Sequence, residues 1–90
     1  MSTYAFTVVL ANVDGFSSDA LDRLFEAGCD DGTPGQFAGE CVIEFDRASP
    51  SLEDAIRSAI DNVWAAGFDV KRVQLDVEHG PNDSPVLVRR

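Results

Sequence analysis

An α+β fold in the order strand, helix, strand, strand, helix, strand follows from three observations in this 90-residue sequence. Tyr4 to Val13 alternates with period two, Tyr4, Phe6, Val8 and Leu10 on one side and Ala5, Thr7, Val9 and Ala11 on the other, as a strand requires. Cys41 to Phe45 is a short apolar run that fits a second buried strand. Leu52, Ile56, Ala59, Ile60 and Val63 fall at helical spacings and make one apolar stripe. Together these predict a ferredoxin-like βαββαβ domain, a four-stranded antiparallel sheet with both helices on one face.

Each element has its own signals. Asn12-Val13-Asp14-Gly15 is turn chemistry, after which Ser17 or Ser18 caps a helix over Ser18 to Ala27. Asp19 and Asp22 suit the positive end of its dipole, Leu21, Leu24 and Phe25 form its expected buried stripe, and Gly28 ends it. Gly32 to Phe37 carries Pro34 and reads as a polar edge strand. Ala38-Gly39 turns the chain into the strand Glu40 to Phe45, and Phe45-Asp46-Arg47 is expected to turn towards the second helix. Ser51 with Asp54 three residues on resembles a capping box, and Gly67 terminates that helix near Ala66. Phe68 to Glu78 alternates Val73, Leu75 and Val77 inward, completing the sheet. The domain is thus expected over residues 1–78, with 79–90 as a loop and tail.

Composition narrows the function. Sixteen Asp and Glu against seven Lys and Arg give a net charge of −9, which repels phosphate backbones and argues against direct nucleic-acid binding. No apolar run approaches the ~18 residues of a membrane span, and residues 1 to 13 lack a basic leader, so a cytoplasmic protein without membrane contact is expected. Cys29 and Cys41 are too few for a disulfide framework and read as buried free thiols.

The segments Leu24-Phe25-Glu26-Ala27-Gly28-Cys29-Asp30-Asp31-Gly32-Thr33, Phe45-Asp46-Arg47-Ala48, and Ser51-Leu52-Glu53-Asp54-Ala55-Ile56 onward to Ala66-Gly67 carry a resemblance. The stretch from Tyr4 to Val77 resembles the N-terminal domain of a family of bacterial DNA-binding proteins that place a helix-turn-helix directly after the last strand. Where that family has two further helices, only the twelve residues His79 to Arg90 remain here. The resemblance therefore implies the accessory domain without its DNA reader, and it transfers no functional residue.

No constellation amounts to a reaction. Asp30-Asp31 would point to opposite sides of an extended segment, which disfavours a shared cation and favours a turn role. Asp46-Arg47 reads as an ion pair fixing the crossover. Zinc would need more ligands than Cys29, Cys41 and His79, and the cysteine count excludes a ferredoxin-type cluster. His79 has no triad partner at a usable spacing. Asn12 to Ser17 lacks the arginine that acylphosphatases of this fold use. The open sheet face offers Ala5, Thr7, Val9, Val42 and Glu44, with no aromatic on which RNA bases could stack. No cofactor is expected.

What remains is a surface in want of cover. Thr7, Val9, Ala11 and Val42 are small and mostly apolar on a face expected to be open, and Val86-Leu87-Val88 could pair with an edge strand in the same or a neighbouring chain. Trp64, near the end of the second helix, is the other candidate contact, although its place beside Val63 favours the core. These residues favour a non-enzymatic interaction or dimerisation module of a small bacterial or phage-borne regulatory or antitoxin-like protein, working as a homodimer or with a protein partner. Two rivals stand beside it. An ACT-like small-ligand sensor would use Asn12, Asp14, Gly15 and Ser17 at the first helix N-terminus; an acidic inhibitor would mimic nucleic acid before a basic enzyme.

Overall fold

In the computed structural model, which describes residues 1–75, the elements follow the order β1 (Ser2–Ala11), α1 (Ser18–Glu26), β2 (Gly32–Phe37), β3 (Glu40–Ser49), α2 (Leu52–Ala65) and β4 (Asp69–Leu75). The four strands form one antiparallel sheet in the order β2-β3-β1-β4. This is the ferredoxin-like arrangement, with the two most apolar strands at its centre. Phe6, Val8 and Leu10 of β1 and Cys41, Ile43 and Phe45 of β3 face the helices and are buried with Leu24, Ala55, Ala59 and Val63. The rings of Phe6 and Phe45 stack with centroids 5.5 Å apart at the centre of that layer.

The local signals place most element ends. Ser17 caps α1 by accepting a hydrogen bond from the Ala20 amide, and Ser51 caps α2 through the Asp54 amide at 3.1 Å. Gly28 and Gly67 follow the two helices with φ of 114° and 96°, the left-handed conformation that closes a helix. The β2–β3 hairpin turns on Ala38 and Gly39, both at positive φ.

Four expectations need correction. The segment Phe45-Asp46-Arg47 is no turn: β3 runs on to Ser49, paired with β1 as far as Ser2↔Ser49. The strand continues because Arg47 and Ser49 keep the inward period of Cys41, Ile43 and Phe45, and the buried guanidinium finds partners. β1 ends at Ala11 and begins at Ser2, two residues earlier at each end than the size alternation suggested.

On α1 only Ala20 and Leu24 are buried, while Leu21 and Phe25 are 39 % and 65 % exposed. The neighbouring edge strand, with Gly32 and Pro34, is too slight to cover them, so they line a shallow groove beside it. On α2 the innermost row is Ala55, Ala59 and Val63, small side chains that bring the helix close to the sheet. Leu52, Ile56 and Ile60 are consequently only half-buried, and Trp64, expected in the core, is 55 % exposed. The expected extension of the last strand to Glu78 and the tail 79–90 lie outside the described residues.

Candidate interaction surface

Beside the apolar core, one buried cation ties the helical layer to the sheet. Arg47 donates from Nε and Nη2 to the two carboxylate oxygens of Asp31, each at 2.8 Å. Its Nη1 reaches Ser58 Oγ and Asn62 Oδ1 at 2.9 Å, and Nη2 also reaches the Gly28 carbonyl at 2.9 Å. All five N–H donors of this β3 guanidinium are thereby used, on α2 and on the segment between α1 and β2. The group also lies 5.0 Å over the Phe45 ring.

Asp31, and not the adjacent Asp46, is therefore the partner of Arg47. Hydrogen bonding to the guanidinium holds the Asp31 carboxyl below its usual range and raises Arg47 further. Cys29 lies within the influence of the same cluster, where burial pushes its thiol up to about 11 against the pull of Arg47. A thiol in that state is inert. Cys41 is also free and buried.

A second arginine ties the helices to each other. Arg23 on α1 donates to the Ala66 carbonyl at the end of α2 and stands 5.2 Å over the Phe68 ring. With Ser58 and Asn62 of α2 turned to Arg47, the row Leu52, Ile56, Ile60 and Trp64 lies on the flank of α2 away from α1.

The open face of the sheet is built differently from the sequence expectation. Val9 and Val42, paired across β1 and β3, are only 1 % and 7 % exposed, and Thr7 and Ala11 are half-buried. A bulge in β4 opposite Val9 and Leu10 inserts Lys71, so that Lys71 and Arg72 both cross β1 to the Glu40 carboxylate on β3. Lys71 and Arg72 hold that carboxyl below its usual range. The small apolar residues thus lie beneath an ion-paired bridge of long side chains, whose stems supply cover that a list of residues on one face does not reveal. A shallow depression of about 360 Å³ persists on this face, with Thr33, Phe37 and Glu44 among its walls. Val86, Leu87 and Val88 lie outside the described residues.

The loop proposed for a small ligand is largely committed to the fold. Ser17 is occupied as the α1 cap, and the Asp14 carbonyl accepts a hydrogen bond from Gln36 of β2 at 2.9 Å. Asn12 takes φ of 56° in the turn, and Gly15 packs near the Gln36 amide. The groove beside this loop is walled by Phe16, Leu21, Pro34, Gly35 and Gln36, leaving Asn12, Asp14 and Ser17 out of its lining.

The surface that the sequence reading touched only at Trp64 is on α2. Leu52, Ile56, Ile60 and Trp64 line an almost wholly apolar groove of about 520 Å³, bordered by Glu53, Arg57 and Asp61. The signal was present as a spacing of four that continues from Leu52 to Trp64. Counting all of those residues as core concealed it. Among the described residues there is no cluster of three or more His, Cys, Asp or Glu placed to hold a metal, and no helix long and apolar enough to cross a membrane. Compared with family models, curated proteins and solved structures, the chain finds no match.

Proposed function

We propose that this chain is a non-enzymatic interaction module of a small bacterial or phage-borne regulatory or antitoxin-like protein, acting in the cytoplasm through the outer row of α2. The observation that carries the reading is the exposure of Trp64 at the end of a row with Ile60, Ile56 and Leu52. A soluble helix usually turns charge outward on such a flank, and a rimmed apolar groove with an aromatic anchor is what contact surfaces are made of. The resemblance to the accessory domain of DNA-binding regulators supports the regulatory part of the reading, and the acidic charge supports a partner that is not nucleic acid.

The test is site-specific photo-crosslinking in cells, with the reactive side chain placed at Trp64 or, as control, at Phe37 on the sheet face. Adducts of one discrete mass from position 64, reduced by Ile60→Asp, are expected. Adducts from position 37 alone would move the contact to the sheet. A thermal-shift screen addresses the ligand-sensor rival, because an amino acid or nucleotide at 100 times its dissociation constant would stabilise the fold by ~2.7 kcal/mol. No such shift is expected.

A further inference from the structure

We propose that the partner taken up by the α2 row is a basic amphipathic helix of another protein, with an arginine seated between Trp64 and Asp61. This rests on the reading of the row as the contact surface and names the chemistry of its partner. The shape of the groove selects a helix. Leu52, Ile56, Ile60 and Trp64 mark successive turns of α2 over about 18 Å, and the ridge they form accepts apolar side chains spaced three and four residues apart. The groove is lined by α2 alone, whose backbone is bonded within the helix, so an added strand would find no backbone groups to pair with.

Charge selects a basic helix. The described Lys and Arg are all committed within the chain: Arg23 to Asp19, Arg47 to Asp31, Arg57 to Glu53, and Lys71 and Arg72 to Glu40. Asp61, in the wall of the groove, has no ion pair among the described residues. Three residues on stands the exposed Trp64, and residues at that spacing are neighbours on one helix face. Among the described residues the cations over aromatic rings are Arg23 at Phe68 and Arg47 at Phe45, so the indole of Trp64 is open to one. A guanidinium arriving there pairs the Asp61 carboxylate and lies over the indole, the ring that attracts cations best.

The same account excludes other occupants. A second copy has no uncommitted cation among the described residues to offer, and it brings the same acids on a chain of net charge −9. An anionic membrane surface is repelled by that field as well.

The experiment selects ligands for the full chain from a displayed library of randomised, stapled helical peptides, with Trp64→Gln as the counter-selection. Peptides carrying Lys or Arg beside apolar residues three and four apart are expected, and the best of them should shift the emission of Trp64, the sole tryptophan, on titration. Asp61→Lys is expected to weaken that peptide about fivefold or more, and Glu26→Lys, an equal change of charge on α1, by less than about twofold. Far-UV circular dichroism checks that both variants stay folded. Enriched peptides that are neutral or acidic overturn the proposal and leave the α2 row as a contact surface. Equal weakening by the two variants also overturns it, since the attraction is then to the whole field and not to Asp61. Enrichment that appears only with Leu87→Glu overturns it too, by making the chain's own C-terminal segment the occupant. If nothing is enriched over Trp64→Gln the proposal fails, and crosslinking from position 64 in cells decides the underlying reading. An adduct there keeps the row as a surface for a partner of other chemistry, and its absence removes that reading as well.

Discussion

Arg47 and Asp31 form a two-pronged ion pair across sixteen residues of sequence, with both contacts at 2.8 Å. The pair joins an inward position near the end of a central strand to the residue just before an edge strand, and the remaining donors of the same guanidinium reach α2 and the segment after α1. Arg47 thus adds two hydrogen bonds to the apolar contacts by which Ala55, Ala59 and Val63 seat α2 on the sheet. Its fork geometry is what makes five simultaneous bonds possible.

Arg47→Lys is accordingly no conservative change. An ammonium offers three donors in place of five and cannot grip both Asp31 oxygens in plane, so a loss of about 2 to 3 kcal/mol is expected. Chemical denaturation with unchanged slope checks it. A loss within ~0.5 kcal/mol, the range of ordinary surface substitutions, would contradict the role given to the pair.

The pH dependence follows from the two shifted groups near this cluster. Asp31 is depressed in the folded state, so its contribution is complete above the unfolded value of 3.8 and vanishes as pH falls through the lower folded value. Wild type and Asp31→Asn should differ in stability at pH 6, and the difference should begin to shrink only as pH falls below 3.8. Cys29 is raised, so the stability it contributes is complete below pH 9.0 and disappears as pH climbs to about 11. Thermal melts of wild type and Cys29→Ala should diverge in slope only in that alkaline window.

Gly28 is where the helix end and the arginine cluster meet. It adopts φ of 114°, and a Cβ there would stand 2.9 Å from the Asn62 side chain that accepts from Arg47. Gly28→Ala should therefore cost about 2 kcal/mol, more than the ~1 kcal/mol of a left-handed position alone. The same denaturation series measures it, and Gly39→Ala, with nothing within 4 Å of its Cβ, is the control for backbone strain without crowding.

The order of elements and the sheet topology were readable because size alternation in β1 and the apolar spacing of α2 are local patterns. Ser17 and Ser51 likewise bond within one turn, so their roles could be read from neighbours. Arg47 was misplaced because the strand was ended at Phe45, where the apolar run stops. Its burial depends on Asp31, Asn62 and Gly28, which only the folded chain brings together. How Val9 and Val42 are covered was hidden for a related reason. The bulge that directs Lys71 and Arg72 to Glu40 is a feature of strand pairing, and alternation along one strand carries no trace of it. Trp64 was assigned to the core since periodicity identifies an apolar stripe without saying how wide a strip the sheet can cover.

The measurement that tests the account most directly is the adduct formed in cells on chemical crosslinking of three full-length proteins: wild type, Trp64→Lys and Phe37→Lys. Both substituted residues are exposed, at 55 % on α2 and 74 % at the sheet hairpin, so neither change disturbs the core. A discrete adduct that disappears in Trp64→Lys and persists in Phe37→Lys is the predicted result. Association that survives Trp64→Lys and is abolished by Phe37→Lys would contradict the account and return the contact to the sheet face.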